Sequence, residues 1–248
     1  MKLRVRYSKL GKVRFLSHRD VARVWERAIR RAHLPIAYSE GFSPRPKLHF
    51  GLALSVGHES VDEYLDIDLR EPVPLEGLPE ALSDCLPVGL DATDVAELPP
   101  GVASLQEAVD LVVWRFAVPA GSTEGVERRV AEVLDADELL IEVERKGKPQ
   151  QLDLRPQVAS IEVHDLDGDD DLPPEVSDLA TAGGLAVIAE LLTRPRSVRP
   201  GELLAALGLA GVDVRVRRLH QFTDTDGVRR PPMAETDADP APALQGAG

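Results

Sequence analysis

Early in this chain the hydrophobic period changes from two to about 3.6 and back, and that alternation restricts it to a mixed α+β fold. Leu3, Val5 and Tyr7 alternate with Lys2, Arg4, Arg6 and Ser8, the pattern of a strand with one buried face. The other face is then basic. After a turn at residues 9–12, Val13 and Phe15 extend or re-enter that sheet. Ser17 stands where an N-cap belongs, with Asp20 three residues on as a weaker form of the capping box. Val21, Val24, Trp25, Ala28 and Ile29 follow at helical spacing, which predicts a helix over residues 18–32.

The same signals continue along the chain. Residues 34–38 read as a short strand, 47–56 as a strand carrying Leu48, Phe50, Leu52 and Leu54, and Tyr64, Ile67 and Leu69 as another. A helix over 75–86 and a strand over 90–98 complete a βαββαβ unit, the order of a ferredoxin-like sandwich with an antiparallel sheet. The "LPPG" at 98–101 is a natural boundary. Beyond it the order recurs: strand 109–118, helix 126–134, strands 139–144, 151–154 and 158–163, and a helix opened by Pro200. An apolar run at 185–192 is either strand or helix, and 212–219 closes as a strand. The acidic "DLDGDDDLPP" at 165–174 and the Asp, Pro, Ala and Gly-rich residues from 223 onward read as unordered. The expectation is α+β: two tandem ferredoxin-like domains, 1–98 and 99–222, with a disordered C-terminal tail over 223–248.

Charge is divided unevenly. The net charge is −13, yet residues 1–58 hold 13 Lys+Arg against three Asp+Glu, which leaves +10 there and −23 elsewhere. Such a division fits a first domain that meets an anion within an otherwise acidic chain. Arginine outnumbers lysine throughout, as GC-rich coding gives, so placement informs more than abundance. Cys85 is the one cysteine, so an internal disulfide, a self-contained iron-sulfur cluster and a Cys-based zinc site are all excluded. No cofactor of its own and no metal are expected. The basic-apolar alternation at the start is unlike a secretion signal, and no apolar run approaches a membrane span. A cytoplasmic address and no membrane partner follow as expectations.

On the first helix, Arg19, Arg23, Arg27 and Arg30 or Arg31 recur every three or four residues. That spacing sets their guanidinium groups in one stripe suited to phosphates, or simply in a solvated face tempered by Glu26. In "YSEGFSPRPKLHFG", residues 38–51, Gly41 permits a positive φ while Pro44 and Pro46 hold the chain extended. Phe42 in this loop either stacks on a base or plugs the core, and Arg45 and Lys47 are placed to meet a backbone. Four of the six histidines, His18, His33, His49 and His58, lie in this basic part. His18 and His49 are the candidates for acid and base chemistry; their spacing matches no zinc signature.

The stretch "RFLSHRDVARVWERAIRRAHLPIAYSEGFSPRPKLHFGLALSVGHES", extended by "VDEYLDIDL" and echoed by "RPGELLAAL" and "VRVRRLH", resembles the radical SAM-linked family, catalogued as domain of unknown function 2344. The resemblance implies a companion radical SAM enzyme as partner, with this chain, lacking the cysteines for a cluster, as its accessory part. In outline the tandem order is also similar to the RAMP superfamily of RNA-processing proteins, although their later glycine-rich loop is missing here. Three functions are therefore open: an accessory RNA-binding protein serving a radical SAM enzyme, a protein-docking module of that enzyme without RNA, and a metal-independent RAMP-like endoribonuclease.

Overall fold

The computed structural model describes residues 1–145, 147–166 and 183–233. They form a mixed α+β protein whose sheet pairing is mostly antiparallel and whose helices are few. The chain divides into two compact units, one made of Met1–Val109 together with the segment from Gln221, the other of Asp110–His220.

The first unit contains β1 (Lys2–Lys9), a 3-10 turn (Gly11–Phe15), α1 (His18–Arg31), β2 (Leu48–Phe50), β3 (Glu59–Asp68), α2 (Leu78–Ser83), β4 (Leu90–Glu97) and α3 (Leu105–Ala108). β1 lies between β3 and β4, antiparallel to both, and β2 pairs antiparallel with the end of β3. Alternation sends Leu3, Val5 and Tyr7 to the same core as Leu65 and Ile67, where they meet Val21, Trp25 and Ile29 of α1 and Leu82 of α2. Burying each such aliphatic side chain contributes about 1.5–3 kcal/mol.

Local differences from the sequence expectation have physical causes. Residues 13–15 belong to the 3-10 turn, entered through Gly11 at φ 65°. Residues 34–38 make only two isolated bridges, Ile36 to Leu69 and Tyr38 to Pro46. β2 stops at Phe50; Leu54, which extends the alternation, is buried without a ladder. The first unit runs past "LPPG" to Val109 because Leu105 is buried and packs beside Gly51. Gly89, at φ 94°, lets the chain pass close to Leu10, just beyond β1: an added Cβ would come 2.4 Å from the Leu10 carbonyl oxygen, and the Leu10 N–H donates to the Gly89 carbonyl at 2.7 Å.

The second unit contains β5 (Leu111–Val118), α4 (Val126–Asp135), β6 (Leu140–Arg145), β7 (Lys148–Asp153), β8 (Val158–Asp165), β9 (Leu185–Leu192), α5 (Pro200–Ala206) and the start of β10 (Arg215–Thr225). β9 settles the ambiguous apolar run as a strand between β5 and β8, antiparallel to both, while β6 and β7 form a separate hairpin. Every residue of β5 is buried, Arg115 included. α4 turns Val126, Val130 and Val133 inward.

From Gln221 the chain belongs to the first unit again. The end of β10 and β11 (Val228–Arg230) pair antiparallel, and the Pro232 carbonyl accepts a hydrogen bond from Arg4. Residues 223–230 are therefore strand and turn where the sequence reads as tail. The remainder of that reading, 234–248, and most of the acidic linker, 167–174, lie outside the described residues.

Candidate nucleic-acid interface

α1 is fixed at both ends. The Ser17 hydroxyl accepts from the Asp20 backbone N–H at 3.3 Å and donates to the Asp20 carboxylate at 2.6 Å, and that donated bond holds the Asp20 carboxyl below its ordinary range. At the other end Leu34 N–H reaches Ile29 O while His33, at φ 54°, takes the left-handed position. This is the Schellman arrangement, in which glycine is usual. Trp25, fully buried and edge-on to the Tyr7 ring at 5.0 Å, anchors the inner face with Val21, Ala28 and Ile29.

That inner face dictates the outer one. Arg19, Arg23, Arg27, Arg30 and Arg31 are all exposed. Arg23 pairs with Asp20 at 3.3 Å; the other four make no hydrogen bond or ion pair among the described residues. Two hollows flank the row. One, of about 490 Å³, is lined by Leu16, Asp20, Val24 and Glu26 with Arg23, Arg27 and Arg30. The other, of about 260 Å³, is lined by Arg27, Arg31, Cys85, Leu86 and Pro87, and Val24 is common to both.

The loop after α1 is a closed hairpin. Ser39 N–H donates to Arg45 O at 2.8 Å, Arg45 N–H to the Ser39 hydroxyl at 3.0 Å, and Lys47 N–H to Ala37 O at 2.9 Å. The Lys47 carbonyl in turn accepts from Asp68 of β3 at 3.1 Å. Gly41, at φ 122°, turns the tip, and Pro44 and Pro46 restrict the return. Of the two positions open to Phe42, the structure selects the outer one: the ring is fully exposed. Arg45 and Lys47 are exposed beside it.

The basic strand face is a different matter, and here the sequence expectation is corrected. Arg4 is 2% exposed and donates through Nε and Nη2 to both oxygens of Asp66 at 2.6 and 2.9 Å. Lys2 lies 3.5 Å from the same carboxylate, and Arg6 Nε donates to Asp62 at 2.6 Å. Lys9 is buried, with its ammonium on the carbonyls of Arg14 and Leu16. The +10 of residues 1–58 falls to +5 when the five carboxylates of β3 are counted. Those carboxylates begin one residue past the counted segment and stand opposite β1 in the sheet. What stays available is concentrated on α1 and the hairpin.

The two histidines are not brought together. The His18 ring packs edge-on against Phe50 at 5.1 Å, whereas His49, next to Phe50 on β2, lies 3.6 Å from Asp68. Side chains adjacent along a strand point to opposite faces, so the pair is split by the sheet. Sequence reading missed Tyr38, which is exposed on the same hairpin as Phe42, and the Cys85–Pro87 wall, which no local signal connects to α1. Among the described residues no group of three or more His, Cys, Asp or Glu is placed to hold a metal ion, and no helix is long and apolar enough to cross a membrane.

Comparison with known proteins gives one family. The model of an uncharacterized protein conserved in bacteria, DUF2344, matches residues 2–194; its description names no radical SAM enzyme. No curated protein matches the chain. Among solved structures, a chain in the crystal structure of a Cbf5-Nop10-Gar1 complex is similar at 11% identity over 88% of this chain and 48% of that one, with a TM-score of 0.45. This chain thus spans about half its length. The crystal structure of an unknown protein from Galdieria sulphuraria is similar at 13% identity, over 88% of this chain and 97% of that one, with a TM-score of 0.24.

Proposed function

The chain belongs to the DUF2344 family of uncharacterized proteins conserved in bacteria, and from that premise we propose that it is an accessory RNA-binding protein that works with a separate radical SAM enzyme. One observation carries the RNA half: Arg19, Arg27, Arg30 and Arg31 stand on the exposed face of one helix with no carboxylate in ion-pair range among the described residues, while Lys2, Arg4 and Arg6 of β1 face carboxylates of β3. Guanidinium forks left unpaired in a chain of net charge −13 are suited to bidentate phosphate contacts. The radical SAM half rests on the family resemblance of the first sixty residues, with the cluster held by the partner because this chain has only Cys85. The finer reading of two ferredoxin-like units is supported by the strand-helix-strand-strand-helix-strand order, which the second unit repeats around the β6–β7 hairpin.

Binding of a single-stranded RNA is expected to weaken with salt, with log K falling about 0.7 per decade of salt for each phosphate neutralised. Arg27→Glu/Arg30→Glu is expected to make that slope shallower by about 1.4 and to weaken binding at low salt. Filter binding across a salt series measures it, and an unchanged slope removes the helix from the interface. A second reading, docking onto an acidic face of the enzyme without RNA, is favoured by the apolar floor of Val24, Leu86 and Pro87 between the arginines. Co-purification of the enzyme that survives nuclease treatment and is lost in the same double variant separates it from the first.

A further inference from the structure

The chain has ten aromatic residues other than histidine, and three of them are exposed: Phe15, Tyr38 and Phe42. One face of the Phe15 ring carries Arg14, whose guanidinium carbon stands 4.4 Å from the ring centroid. The other two lie on one hairpin. Its base is closed by the Tyr38–Pro46 bridge and by three hydrogen bonds, from Ser39, Arg45 and Lys47 N–H groups. Its tip is turned by Gly41 and stiffened by two prolines. Arg45 and Lys47 flank it, and neither side chain makes a hydrogen bond or ion pair among the described residues.

From this arrangement we infer that the Tyr38–Lys47 hairpin is a stacking platform for unpaired nucleobases, so that the ligand of this site is RNA presented as a single strand, loop or bulge, with Phe42 as the principal stacking face. The inference rests on the RNA reading above and narrows it to a substrate class. In a duplex the base faces are occupied by their neighbours, so a ring held out on a closed hairpin finds a π-face only where a base is unpaired. The cations beside it hold the adjoining phosphates. A hairpin already closed loses little conformational freedom when it binds, which suits it to a preformed platform. Because every base has a π-face, stacking tolerates sequence. Selection at this hairpin is therefore for strandedness, and any sequence preference arises elsewhere in the complex.

The probe is a short single-stranded RNA of mixed sequence carrying 2-aminopurine, alone or annealed to its complement as a blunt duplex. The protein is the full chain at low salt. With wild type, the single strand is expected to bind with quenching of the 2-aminopurine fluorescence, and the duplex to bind without it. Phe42→Ala is expected to weaken single-strand binding on the order of 5- to 150-fold and abolish the quenching, leave duplex binding unchanged, and Phe42→Trp to restore both. Since the Phe42 ring is fully exposed, the variants are expected to fold, which circular dichroism checks. Single-strand binding that survives Phe42→Ala with its quenching intact overturns the stacking inference and leaves the arginine helix as the RNA site. Wild type that binds neither RNA at any salt overturns the RNA reading itself, and the hairpin with it.

Discussion

Asp62, buried in the first unit, gathers donors from three parts of the chain. One carboxylate oxygen accepts from Arg6 Nε and from the Tyr64 hydroxyl, each at 2.6 Å, and the other accepts from the Gln221 backbone N–H at 2.6 Å. The Gln221 side-chain amide also donates to the Asp62 carbonyl. A buried carboxylate is costly without hydrogen-bond donors, and here one donor comes from the returning end of the chain. Burial, and then the Asp62 charge, push the Tyr64 phenol well above its ordinary value. The unfolded chain releases that proton near pH 10, so this contribution to stability is complete below about pH 10 and is lost as pH rises toward the folded value. Stability is expected to fall with a Tyr64 share of about 1.4 kcal/mol per pH unit above that point. Denaturant midpoints of wild type and Tyr64→Phe across the alkaline range test it: a slope no shallower in the variant sinks the assignment.

Among the elements, α1 is the one most legible from sequence, because its signals are local. A cap at Ser17, an apolar stripe through Trp25 and a run of arginines at helical spacing need no knowledge of what lies opposite. Ser17→Ala is expected to destabilise the protein by about 1 kcal/mol and to let the Asp20 carboxyl return toward its ordinary range, since the hydroxyl that holds it low is gone. Urea denaturation and an NMR titration of Asp20 measure the two effects. The C-terminal position of His33 has no such signal, because a left-handed non-glycine residue is selected by the turn that follows it. β2 was harder still: the alternation of Leu48, Phe50, Leu52 and Leu54 records burial, and burial reads the same whether or not a neighbouring strand supplies the ladder. The end of β10 and β11 escaped for the same reason. Residues 223–230 are mostly polar, and their pairing depends on partners that the local pattern does not contain.

For the whole molecule the distribution of charge separates two kinds of cation. Those of β1 are structural; those of α1 and the hairpin are available. Arg6→Gln is expected to destabilise the protein by about 1–3 kcal/mol, through the donor lost at Asp62, while leaving the salt dependence of the proposed RNA binding unchanged. A slope as altered as that of Arg27→Glu/Arg30→Glu would return the strand face to the proposed interface. The sequence by itself determined the α+β class, the helix and its arginine stripe, and the basic excess of the first residues, because each is a property of neighbours along the chain. Only the tertiary structure decided which of those cations stay exposed and that Phe42 faces water. Arg4 and Asp66 are 62 positions apart, and a sheet brings them to 2.6 Å: pairing across strands neutralises charge on a scale that no window of sequence samples.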